Sequence, residues 1–275
     1  MQNSSIIELG GWLRTPPGQR LGSWEQQCLD HAVADLFGYH ALQLGLPELE
    51  ALRANRMPHR WVATDLLDPF EHLGLPPPED EGITTRQVDA PVAVHCQPEA
   101  LPFPSASLDL VVMPHTLETA EDPHQALAEA VRVLMPEGRL VITGLNPASL
   151  WGLRQRAGHL RQRLGLGRSP CFLPQAGEFI GYWRLRDWLR LLGLEIEVAR
   201  FGCWAPPFHR QRWLERFDWM EAAGERWWPV FGAVYFIVAV RRERGMRLVG
   251  RVRRVRRPAV AAPAVVAQRR PQARS

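Results

Sequence analysis

Apolar positions recur along this chain with two periods, and the changes of period mark the elements. From Ser23 onward, Trp24, Cys28, Leu29, Val33, Leu36 and Phe37 fall three to four residues apart, the spacing of one buried helix face. Ser23 is a good N-cap residue, Gln26 completes a capping box, and Gly38 ends the run. Tyr39–Leu46 (YHALQLGL) predicts a short strand entering a glycine turn, and Pro47–Arg56 a short helix. Arg60–Thr64 reads as a second strand ended by Asp65, Val92–Cys96 as a third and Leu108–Met113 as a fourth. The fourth is almost continuously apolar, as strands buried on both faces are. Asp122 then caps a helix, with Pro123 at its first position and Gln125 at the capping-box position. Pro136 and Gly138 stop that helix, and Arg139–Leu145 is a fifth strand.

Strands alternating with helices predict a parallel sheet covered on both faces. In such a sheet ligands sit outside the carboxyl ends of the strands, where the strand order reverses. The rule selects Gln43–Leu46, Asp65, Cys96–Pro98, Pro114–Leu117 and Asn146. After Pro147 the pattern changes. Ser149–Gly167 is a basic amphipathic segment, Arg184–Leu192 a helix with Gly193 as its cap, Leu194–Phe201 a sixth strand and Val234–Val240 a last one. Residues 203–230 hold five of the eleven tryptophans, which fits the core of an added subdomain better than the lining of a pocket.

The run Glu99–Gly144, EALPFPSASLDLVVMPHTLETAEDPHQALAEAVRVLMPEGRLVITG, closely resembles class I S-adenosylmethionine-dependent methyltransferases of the type 11 domain. The spaced elements LPF, D-L-V, D-P and R-x-L-x-P-x-G agree in order. The segments TPPGQRLGSWEQ, FGYHALQLG and GLNPASLWGLR resemble a narrower bacterial group, the YafS type. The resemblance implies an α/β, Rossmann-like class I methyltransferase fold with seven mostly parallel strands in the order 3-2-1-4-5-7-6. It also implies a cover helix within 1–37, a methyltransferase domain over 38–240 and insertions at 66–91, 147–180 and 203–230. S-adenosylmethionine is the implied cofactor. The family's acid-x-G-x-G motif becomes Gln43-Leu44-Gly45-Leu46-Pro47, keeping only Gly45. The acid that takes the ribose hydroxyls maps onto Asp65. The acid facing the adenine amino group becomes Gln97, followed by Pro98. Pro114 and His115 fall beside the methyl group. No catalytic residue follows from the resemblance; His115 and Glu118 are the weak candidates.

Charge and composition narrow the remaining classes. The net charge of +4 hides an asymmetry: residues 241–275 carry twelve arginines and Glu243, so the first 240 residues sum to −7. That Arg-rich tail is expected to be disordered. It contains no aromatic residue for base stacking, so any contact with nucleic acid or anionic lipid would be nonspecific. Four scattered cysteines and histidines without ligand spacing predict no metal site and thiols in a reducing compartment. The most apolar run, Trp227–Val240, is too short to cross a bilayer, and no signal peptide opens the chain. A cytoplasmic protein is expected. The leading expectation is a methyltransferase acting on an unidentified small molecule or lipid. The alternatives are a catalytically silent binding or regulatory module, and an RNA-associated methyltransferase using the basic tail.

Overall fold

The computed structural model describes residues 9–65, 94–163, 172–173, 179–208 and 210–242. The expected insertion at 66–91, the third strand's start at Val92, the middle of 147–180 and the tail after 242 lie outside them.

Seven strands form one sheet: β1 (His40–Leu44), β2 (His59–Thr64), β3 (Val94–His95), β4 (Leu108–Pro114), β5 (Leu134–Leu145), β6 (Leu194–Gly202) and β7 (Val234–Arg241). Their order is β3-β2-β1-β4-β5-β7-β6. Contacts from β3 through β5 are parallel, and β7 runs antiparallel to both β5 and β6. The order reverses between β1 and β4, which defines the switch point at the carboxyl end of β1.

Side chains alternate across this sheet and build two cores. Leu42, Leu44, Val111, Met113, Ile142 and Ile237 face helices α3 (Pro123–Val133) and α5 (Tyr182–Leu191). Ala41, Leu110, Val112, Val141, Phe236 and Val238 face α1 (Pro16–Val33) through Cys28, Leu29 and Val33. A short α2 (Thr116–Thr119) follows β4, and α4 (Leu150–Arg163) follows β5. Helices α6 (Gln211–Arg216) and α7 (Trp219–Trp227) fill the connection from β6 to β7.

Asp122 caps α3 as expected, accepting from the backbone of His124 and Gln125, with Pro123 at the first position. Asp109 accepts from the backbone of Tyr39 and His40 at 2.8 and 3.0 Å, which fixes the start of β1 against β4. Four expectations need correction. The helix expected from Ser23 starts at Pro16, after a helical stretch at 9–13. Thr15 is its N-cap, and Ser23 lies mid-helix with its hydroxyl bonded to the Gln19 carbonyl. Two prolines after a threonine suit a helix's first turn as well as a loop. No helix forms over Pro47–Arg56; that span makes successive turns. The fifth strand begins at Leu134 rather than Arg139, because Pro136–Gly138 form an irregularity within it, with Glu137 at φ 63°. The Trp-rich connection is not a core. Trp204 is buried, but Trp213, Trp219, Trp227 and Trp228 are 45–73% exposed.

Candidate functional site

The carboxyl edge of the sheet is organised around two turns, one after β1 and one after β4. The first enters a left-handed conformation at Gly45 (φ 71°) and Leu46 (φ 34°). Gly45 N–H bonds the Ala63 carbonyl at 2.7 Å, which aligns this turn with the end of β2. A β-carbon on Gly45 would sit 3.4 Å from Thr116 Oγ1, so the two turns approach closely here. Thr116 donates its hydroxyl to the Leu44 carbonyl at 2.6 Å, joining them directly.

Gln43 holds the first turn from beneath. Its side-chain nitrogen donates to the carbonyls of Leu46 (3.1 Å) and Leu49 (2.6 Å), and its oxygen accepts from Ala51 N–H (3.0 Å). The residue is 1% exposed. A carboxylate has no hydrogen to donate, so it could not tie down those two carbonyls. That accounts for glutamine where the resembled motif carries an acid. It also accounts for the missing helix, since the amide satisfies backbone groups across 46–51 that a helical turn would otherwise pair. Leu46 and Leu49 turn inward against Leu9, Trp12 and Leu13.

The second turn is held by charge. His115, at φ 52°, caps α2 and is 1% exposed. Its Nδ1 lies 2.9 Å from Glu118 Oε2 and its Nε2 lies 3.0 Å from Glu25 Oε1 on α1. Glu25 and Glu118 are equally sealed. The Glu118 contact is a directed hydrogen bond; the Glu25 contact is close but poorly aligned, so it acts mainly as an ion pair. Burial works against a charged imidazole, but the fields of Glu25 and Glu118 outweigh it and hold His115 protonated well above its ordinary range. Glu118 also accepts from Leu145 N–H, which extends the cluster to β5. Tyr235, on β7, lies near Glu118, and burial followed by that carboxylate keeps its phenol strongly protonated.

Around the turns the edge is acidic. Asp65 ends β2, half-buried, and its carboxyl is pushed upward first by burial and then by Glu99 and Glu121. Glu99 accepts from the backbone of Glu121 (2.7 Å) and Asp122 (3.2 Å). Gln97 is exposed and Pro98 half-buried at the end of β3, where Cys96 N–H bonds the Thr64 carbonyl at 3.1 Å. Of the residues selected from the sequence, Gly45, Asp65, Gln97 and Pro98 therefore share one accessible edge. Gln43, Leu46, Pro114 and His115 lie buried beneath it. Sequence reasoning missed Glu25. Its neighbours Trp24 and Cys28 marked the helix face, but nothing local indicated a carboxylate inserted to meet His115.

Comparison with known proteins bears on this arrangement. Residues 77–142 match the family described as a methyltransferase domain. That match covers about a quarter of the chain and runs through β3, β4 and most of β5 of the seven-stranded sheet. The chain is similar to the Escherichia coli protein named "Uncharacterized protein YafS", 39% identical over 112 residues, which cover 40% of this chain and 43% of that protein. It also resembles the Chlamydia pneumoniae demethylmenaquinone methyltransferase, 43% identical over 54 residues, 20% of this chain and 24% of the relative. The matches thus span less than half of these curated relatives. Among solved structures, a complex of the Haloferax volcanii Trm112 methyltransferase activator with a chain assigned as a methyltransferase matches with a TM-score of 0.52. The identity is 17%, covering 87% of this chain and 98% of that one. Among the described residues, no group of His, Cys, Asp and Glu is placed to hold a metal ion, and no helix is long and apolar enough to cross a membrane.

Proposed function

We propose that this chain binds S-adenosylmethionine at the carboxyl edge and transfers its methyl group to a small molecule or lipid. The observation carrying this reading is the acceptor-rich edge at the switch point, where the Gly45 turn, Asp65 and Gln97 converge. The donor set suits the ligand: S-adenosylmethionine offers hydroxyls, an ammonium group and a sulfonium, and Asp65, Glu99 and Glu121 provide carboxylates. Gly45 lets the backbone come close to the ligand. Asp65 takes the ribose hydroxyls, Gln97 and Pro98 border the adenine, and the Pro114–His115 turn walls the methyl side.

The sulfonium supplies an electrophilic methyl with a neutral leaving group, so the protein's task is alignment and exclusion of water. Gln43, Leu46 and His115 act from below as positioning residues. His115 and Glu118 are engaged with each other and sealed from solvent, so neither is assigned as a general base. Unpaired Cys28, Cys96 and Cys203 agree with work in the cytoplasm.

Calorimetric titration with S-adenosylmethionine tests the proposal. Saturable binding is expected, weakened about tenfold in Asp65→Ala by loss of a charged hydrogen bond. No heat at millimolar ligand would sink it.

A further inference from the structure

A second concavity lies at the β6 end of the sheet, apart from the Gly45 turn, Asp65 and Gln97. It encloses about 870 Å³ between α1, the end of β6 and α7, a volume within the range of small-molecule sites. We propose that this cleft binds a flat aromatic molecule carrying an acidic group, and that this molecule is the methyl acceptor. The second half of the proposal rests on the methyl-transfer reading.

The walls favour a planar ring. Trp24 rises from α1 and Trp204 follows β6. Each indole is seated on a glycine: a β-carbon on Gly202 would overlap Trp24, and one on Gly224 would overlap Trp204. Trp204 is further fixed by its Nε1–H bond to the Trp228 carbonyl at 3.2 Å. Both aromatic surfaces are therefore held in place before a ligand arrives, which lowers the ordering cost of binding. Aromatic rings stack or meet edge-on with such surfaces.

The charges favour an anion. Arg20 is committed to Asp218 (2.5 Å) and Glu221 (3.4 Å). Glu221 is in turn committed to the backbone N–H groups of Trp204 and Ala205, both at 3.3 Å. Glu225 sits exposed at the rim. Arg200 has no carboxylate within 4 Å among the described residues, and its charge lies close enough to the Cys28 thiol on the cleft floor to favour the thiolate. It is the cation available to a carboxylate, phosphate or sulfonate, which its planar fork suits. The floor thiols are not nucleophiles. Burial pushes Cys28 up to about 11, against the pull of Arg200, and raises Cys203 well above the ordinary thiol range.

The cleft also faces the right way. β6 and β5 both run antiparallel to β7, so the end of β6 lies at the same carboxyl edge as Leu145, with Gly202 and Leu145 flanking Val234. Glu25 links the two regions. Its field acts on both floor thiols, while one oxygen lies 3.0 Å from His115 in the turn after β4. Its other oxygen is buried with no hydrogen-bond partner.

The test uses the full chain and 1-anilinonaphthalene-8-sulfonate, a flat aromatic anion that fluoresces on leaving water. Saturable single-site binding is expected. Arg200→Ala should weaken it about tenfold, as loss of a charged hydrogen bond does. Ser23→Trp should abolish it by filling the cleft from an exposed position of α1. Both substitutions are at exposed residues and should leave S-adenosylmethionine binding unchanged. Absence of dye binding, or dye affinity indifferent to both changes, overturns the cleft as a site. Loss of dye binding in the variants of a protein that never binds S-adenosylmethionine would keep the site and overturn the acceptor role.

Discussion

The turns after β1 and β4 lie side by side, joined by Thr116, yet they are held by opposite means. The first is fastened by a neutral amide with three backbone hydrogen bonds of 3.1 Å or less. The second is fastened by two buried carboxylates around one imidazolium. A satisfied neutral group costs little to bury and does not respond to pH. A buried charge cluster is stable only while every member keeps its charge. The comparison teaches that this edge combines a fixed half, under the Gly45 turn, and a titratable half, under α1.

The largest expected effect breaks the charged half. His115→Ala leaves Glu25 and Glu118 buried against each other and should cost about 3–5 kcal/mol of unfolding free energy, read by urea denaturation. A loss below about 1 kcal/mol would mean that the carboxylates are not both charged. Replacing Gln43 by Glu breaks the neutral half. Two carbonyls would then face a carboxylate, at a cost of about 2–3 kcal/mol; a near-neutral result would show that the amide is not the fastener. Severing the link is milder. Thr116→Val keeps the shape and removes the bond to Leu44, with about 1 kcal/mol expected from denaturant midpoints.

The comparison is sharpened by pH. His115 is held above its ordinary value, so its contribution is complete below about pH 6.5 and is lost as pH rises through the folded-state value. Melting temperature should therefore decline as pH rises above about 6.5. Glu25→Gln should shift that decline to lower pH by removing one of the two fields that hold the proton. Gln43→Glu should leave it in place, and a decline of equal position in all three proteins would remove His115 as its source.

Much of the fold was legible because its signals are local. Asp122 and Pro123 announce α3, and the apolar run of β4 announces a strand buried on both faces. The accessible part of the candidate site was legible too, because parallel-sheet geometry places Gly45, Asp65 and Gln97 at the strand ends regardless of packing. Glutamine at position 43 read as a damaged motif. Only the folded turn reveals that its two donors are used. The tryptophans of 203–230 read as a core by composition, yet composition says nothing about which way a short helix faces, and four of the five are exposed.

By itself the sequence determined the order and type of most elements and the strand ends where a ligand can sit. Capping residues and apolar periods act within a few positions of themselves, and the sheet rules then follow. The tertiary structure decided what lies beneath and beside that edge. Glu25 meets His115 across ninety positions, and Trp24 and Cys28 share a cleft with Arg200 and Trp204. Such pairings depend on how α1 docks on the sheet, and docking sums many weak apolar contacts that no short stretch of sequence records.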